Sequence, residues 1–315
     1  MTVDEFVRLR WTDPGEPLID PPRLSPVIAD PSFLFPEETP DGRWHLVAHS
    51  AWGLHRYVSD DGSAWRDQGL FLRHGMRPFL RYLDGEYFLY YEAYVPFALP
   101  LTALPFRSPW RSSLRLRRSR DLATWSAPEV VLEPSLEWMR DSTLGSSVSN
   151  PCLVPDGAAY RLYFSASLSW IPDCGFCEPR SIGVAFGAAP SGPFGPRDLP
   201  IVEPAAGADG ELGAGSLKAL RLDDGWVALQ NKIYADSAGK SHSALFLLRS
   251  PDGLAWTDAW PEPLLAPGQG WTSSHVYACD VRRRPSDGRW YLYFNARDGW
   301  RISDGRERIG RIVSL

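Results

Sequence analysis

Five times along the chain an Asp-Gly pair is followed at once by a short aromatic-rich apolar run: Asp41-Gly42 before RWHLVAH, Asp84-Gly85 before EYFLYYE, Asp156-Gly157 before AAYRLYFSA, Asp224-Gly225 before WVALQNK, and Asp287-Gly288 before RWYLYFN. Asp-Gly between apolar runs is a strong hairpin signal, because a tight primed turn needs positive φ at its centre and Gly supplies it without steric cost. Another apolar stretch precedes each turn (31–35, 77–83, 150–155, 216–222 and 275–281), so each repeat holds at least two antiparallel strands. A third element closed by a Trp follows in SDDGSAW (Trp65), SRDLATW (Trp125) and SPDGLAW (Trp256), with SGPFGP (191–196) at the equivalent place in the third repeat. The turns recur 43, 72, 68 and 63 residues apart, the length of one four-stranded sheet plus loops. The expectation is an all-β chain, a five-bladed β-propeller of four-stranded antiparallel blades. A β-sandwich has no reason to repeat both the hairpin and the Trp-closed element. The last repeat lacks a fourth strand, and EFVRLRW (5–11) is expected to supply it and latch the ring.

At 315 residues and 44% hydrophobic, the chain is long enough for one compact body. The proline-rich stretches at 14–31, 96–109 and 190–204 fall between blade elements, so a single domain over 1–315 is expected. Net charge is −5 and the cations are scattered, which gives no basic face for nucleic acid. The run LRLRRSR (114–120) reads as a strand with one solvated face. No stretch has signal-peptide or membrane-spanning character, so a cytoplasmic protein that engages no membrane is expected. Cys152, Cys174, Cys177 and Cys279 do not make a disulfide scaffold. Cys174 and Cys177 fall in PDCGFCEPR, read as a loop between the second and third strands of the third blade. Zinc would want two further ligands that no nearby spacing provides, so no metal site is assigned.

In a propeller the first strand of each blade lines the central channel and opens on one face, and the second strand returns to end at that same face. The first-strand starts place Asp30, Arg77, Asn150, Ser216 with Lys218, and His275 around the mouth. The second-strand ends add His49, Glu92, Ser165 or Ser167, Asn231 with Lys232, and Asn295 with Arg297. Polar residues ending strongly apolar strands suit a pocket for a polyhydroxylated ligand. Trp52, Trp170, Trp271 and Trp300 lie just beyond, where flat rings could stack on sugars or seal gaps between blades.

ADPSFLF (29–35), the S-x-D-G/L-x-x-W elements and the closing DGRWYLYFNARD (287–298) resemble the five-bladed propeller glycoside hydrolases, families 43, 32, 62, 117 and 130 among them. The resemblance implies that Asp30, in the first-blade Asp-Pro, is the general base or nucleophile. An inverting enzyme sets a second carboxyl group roughly 6.5–9.5 Å away to protonate the leaving oxygen. Where family 43 has an Asp at the third blade and a Glu at the fourth, this chain has Asn150 and Ser216. Glu92, Glu211 and Asp141 are the substitute acids, with Glu92 preferred and Glu211 second. An ion pair to Arg77 is the competing reading of Glu92. His275 matches a family 43 position near a water-coordinated ion, which leaves a Ca²⁺ or Na⁺ conceivable there although no cofactor is expected.

Arg77, Lys218, Lys232, His275 and Arg297 together would make the mouth basic and suggest an anionic portion in the ligand. The leading expectation is a glycosidase acting on a short oligosaccharide or glycoside, inverting and pentose-directed by resemblance alone. A glycoside phosphorylase or transferase, needing cations for phosphate, is the second. A propeller that binds carbohydrate without turnover is the third.

Overall fold

The computed structural model describes residues 1–95, 109–204, 210–301 and 303–315. The connection expected at 96–109 lies outside these residues except for its last position. Each Asp-Gly pair joins two antiparallel strands: Ile28–Leu34 to Trp44–Ser50, Gly75–Leu83 to Glu86–Tyr94, Val148–Asp156 to Ala159–Ile171, Leu217–Arg221 to Trp226–Ala235, and His275–Arg283 to Trp290–Arg297. Four of the turn glycines have positive φ (64°, 84°, 66° and 69° at Gly42, Gly85, Gly157 and Gly288), whereas Gly225 does not. A third strand returns beside the second in every repeat, at Gly53–Ser59, Trp110–Ser119, Phe176–Gly187, Ser241–Ser250 and Glu307–Val313. Fourth strands follow at Arg66–Arg73, Glu129–Leu132, Gly195–Pro196 and Thr257–Asp258. The strands that open the repeats pack against one another in succession, and the first also packs against the fifth.

Two expectations are corrected. Trp65, Trp125 and Trp256 do not close strands; they sit in loops after the third strands. In each loop the Ser hydroxyl accepts from backbone N–H groups, as does the Asp two residues on, in Ser59/Asp61, Ser119/Asp121 and Ser250/Asp252. The capped loop thrusts its Trp sideways: Trp65 meets the edge of Tyr293 at 5.7 Å and Trp256 that of Tyr163 at 6.3 Å. The same tyrosines donate to the loop glycines, Tyr293 to the Gly62 carbonyl at 2.6 Å and Tyr163 to the Gly253 carbonyl at 3.0 Å. The motif therefore locks neighbouring sheets together.

The segment 5–11 is not a strand. Val3–Val7 is a short helix, because Thr2 and Glu5 form a reciprocal capping box and Asp4 and Glu5 load its first turn with negative charge. Phe6 anchors it edge-on to Trp290 at 4.8 Å. Residues 10–12 nevertheless run beside the C-terminus, through the Trp11–Ser314 bridge and the bonds from Leu315 N–H to the Arg10 carbonyl and Thr12 N–H to the Val313 carbonyl, both 2.9 Å.

Beneath the mouth, three opening strands are pinned by one carboxylate. Asp280 holds Arg81 in a two-pronged pair at 2.6 and 2.8 Å and accepts from the Ser32 hydroxyl at 2.9 Å. Ser32 Oγ in turn accepts from Leu80 N–H at 2.9 Å. Asp280 is fully buried, so removing either charge would strand the other, at a cost of about 3–5 kcal/mol. No helix among the described residues is long and apolar enough to cross a membrane.

Candidate active site

Asp30, Arg77 and Asn150 each precede a proline, each sits where strand register shifts, and each has positive φ (52°, 51° and 48°). A bulge of this kind turns a side chain out of the strand alternation. Left-handed backbone is costly for non-glycine residues and persists only where surroundings hold it. At Asp30 the holding group comes from the preceding repeat, since Asp30 N–H donates to Asn295 Oδ1 at 3.0 Å. Ser165 Oγ likewise donates to the Gly215 carbonyl at 2.6 Å, and Asn231 Nδ2 to the Val276 carbonyl at 2.9 Å. Asn295, Ser165 and Asn231, at the polar ends of second strands, thus fasten neighbouring repeats together.

The bulges open into a cavity of about 170 Å³. Asp30, His49, Arg77, Asn150, Asn295 and Arg297 line it, with Ser216 and Asn231. Asp30 Oδ2 lies 3.2 Å from His49 Nδ1. Burial alone would raise the Asp30 pKa, but the His49 hydrogen bond and charge, with Arg77 and Lys218, reverse this and hold it below the usual carboxylate value. Asp30 is therefore ionised at neutral pH.

Two further carboxyl groups, Glu178 and Glu307, face the same cavity. Neither was anticipated. The third repeat's hairpin, Ala159–Ile171 with Phe176–Gly187, is long enough to overhang the mouth, and its turn occupies only 172–175. PDCGFCEPR is therefore mostly strand, with Glu178 paired to Ser169. Burial first, then the Asp30 charge, raises the Glu178 pKa to about 7 against the pull of Arg77 and Arg297. The Tyr277 hydroxyl stands near it without full hydrogen-bond geometry. Glu307 begins the last strand, accepts from Asn295 Nδ2, and is raised to about 8, by burial first and then by Asp30 and Glu178. Asn295 thus bridges the Asp30 backbone to Glu307.

The Glu178 shift predicts a pH-dependent stability. The folded chain keeps this proton to about pH 7, whereas the unfolded carboxyl loses it near 4.5. Its stabilising contribution is complete below pH 4.5 and is lost as pH rises through 7. Glu178→Gln, which does not titrate, should be more stable than the parent at pH 8 by up to about 3 kcal/mol and show no such gain at pH 4. Denaturant melts at the two pH values measure this.

Glu92, the preferred proton donor, is fully buried away from the cavity, 2.6 Å from Arg77 Nη1 and accepting from Trp110 Nε1 at 3.2 Å. Glu211 lies in a short strand beside Tyr234 and does not line the cavity, nor does Asp141, whose carboxylate caps the turn at Thr143 and Leu144. Lys218 points deeper, donating to the Pro151 carbonyl at 2.9 Å, and Lys232 faces outward to Asp258 at 2.8 Å. His275 is buried against Tyr277, its pKa held down to about 3 by burial and by the charges of His242 and Arg297. The expected basic mouth reduces to Arg77 and Arg297, and Arg297 has Glu307 at 3.9 Å. Among the described residues no three His, Cys, Asp or Glu side chains are placed to hold a metal ion. Trp52, Trp170, Trp271 and Trp300 do not line the cavity, whereas Trp110 does. Cys174 and Cys177 are thiols rather than a disulfide, and Cys177 reaches the cavity wall.

No family model matches the chain, and no curated protein matches it in sequence. Solved structures do match in fold. The catalytic domain of an α-L-arabinofuranosidase of family 62 from Coprinopsis cinerea aligns with TM-score 0.67 at 14% identity, covering 98% of both chains. An N-acetylgalactosamine deacetylase from F. plautii, solved with blood group B trisaccharide, aligns at 0.63 and 15% identity, covering 96% of this chain and 95% of the other. A family 117 glycoside hydrolase from Zobellia galactanivorans aligns at 0.61 and 14% identity, covering 97% and 90%. The chain shares the fold of the β-propeller glycoside hydrolases, and at these identities the likeness extends to fold alone.

Proposed function

We propose that the chain is a single-domain, five-bladed β-propeller that hydrolyses a short oligosaccharide or glycoside. Ring closure is supported by Tyr293, which bonds the first repeat's loop as Tyr163 bonds the fourth's, and by the Asp280–Arg81 pair. The observation that carries the function is that two carboxyl groups in opposite protonation states, Asp30 ionised and Glu178 protonated near neutrality, line one cavity from the first and third repeats. Asp30 takes a proton from water, and water attacks the anomeric carbon. Glu178 gives its proton to the departing oxygen. His49 and the Asn295 relay keep Asp30 aimed, and Glu307 braces Asn295. Glu178 replaces Glu92 and Glu211 in this reading, since neither of those reaches the cavity.

Phosphorolysis is disfavoured by the charge balance, because Arg77 pairs with Glu92 and the ionised Asp30 offsets Arg297 in the same cavity, which leaves no surplus cation for phosphate. Hydrolysis should therefore proceed in phosphate-free buffer. Proton NMR of the first-formed sugar should show inversion of the anomeric configuration, and a retained anomer would replace water by Asp30 as the attacking group.

A further inference from the structure

We propose that the leaving group of the substrate is an apolar alkyl or aryl aglycone rather than a second sugar. The inference rests on the reading of Glu178 as proton donor. A donor must touch the departing oxygen, so whatever surrounds Glu178 also surrounds the leaving group. Phe176, Cys177 and Pro179 adjoin it on its own strand, and Leu168, opposite Pro179, lies on the facing strand. All four line the cavity, together with Met76 and Trp110. Met76, Trp110, Leu168 and Cys177 pack as one apolar cluster.

Trp110 does not break the apolar character of this wall. Its indole N–H is spent on Glu92, and Tyr94 stacks on it at 5.2 Å. The polar groups Asp30, His49, Arg77, Asn150, Asn295 and Arg297 line the rest of the cavity, where the glycone would sit. The side chains of Leu168, Phe176 and Pro179 offer a polyol no hydrogen bond in return for the water it loses, whereas an alkyl or aryl group gains by burial.

The test compares methyl and hexyl glycosides of arabinofuranose, xylose, galactose and glucose. Their leaving alcohols differ little in acidity, so chemistry is matched and aglycone contact is isolated. Turnover is measured as kcat/KM and binding by calorimetry. Hexyl glycosides should exceed methyl glycosides of the same sugar by about tenfold or more. Leu168→Asn, or Phe176→Ser should the first variant fold poorly, should shrink that ratio several-fold. Equal methyl and hexyl values, or a disaccharide preferred to the hexyl glycoside, would overturn the inference while leaving hydrolysis intact. No turnover and no binding of any glycoside would overturn the hydrolase reading and the inference with it.

Discussion

Asp30→Asn should lower kcat/KM by on the order of 10⁴-fold, the upper end of what a general base contributes, while leaving the fold intact and lowering stability at neutral pH, where the ionised Asp30 favours the folded state. The amide is isosteric, and the left-handed backbone at this position is held by the Asp30 N–H bond to Asn295, which the substitution keeps. Asn is also among the residues that tolerate positive φ, as Asn150 does at the equivalent bulge. What disappears is the negative charge stabilised by His49, Arg77 and Lys218, and with it the capacity to take a proton from water. Stopped turnover in a normally folded variant therefore separates chemistry from stability.

Glu178→Gln should cost about 10³-fold on alkyl glycosides, because an alkoxide cannot leave unprotonated at neutral pH. The loss should shrink to within about tenfold on glycosyl fluorides and dinitrophenyl glycosides, which need little proton donation. A residue that merely shaped the cavity would lower both substrate classes alike. The pH profile adds a second signature. Glu178 acts only while protonated, so parent activity should fall as pH rises past about 7, and this limb should vanish in Glu178→Gln. Asp30, ionised well below neutrality, sets the opposite limb. The observed values belong to the coupled set Asp30, Glu178 and Glu307.

The repeat was legible because its signals are local. Asp-Gly turns and Ser-x-Asp loops fix their own backbone through a few neighbouring bonds, so their spacing reports the sheets without tertiary knowledge. Asp30, Arg77 and Asn150 were legible because they open the first strands that these turns locate. Glu178 was not, because a Cys-x-x-Cys segment with Pro, Asp and Gly reads as loop, whereas pairing with Ser169 and Trp170 extends the strands past it. The turn is confined to Pro172-Asp173-Cys174-Gly175, and the strands run on either side of it. Glu307 becomes visible only when the Asn295 contact is known. Lys232 fails by alternation: Asn231 faces inward, so its neighbour on the same strand faces out. The helix at Val3–Val7 was written in Thr2-x-x-Glu5, a capping box overshadowed by the apolar alternation of EFVRLRW.

The most direct test is sugar release from a mixed panel of alkyl and aryl glycosides in phosphate-free buffer, run side by side with the parent, Asp30→Asn and Glu178→Gln. The account predicts release by the parent, none measurable from Asp30→Asn, and release from Glu178→Gln confined to activated aryl leaving groups. Undiminished release by Asp30→Asn, or no release from any substrate by the folded parent, would contradict it.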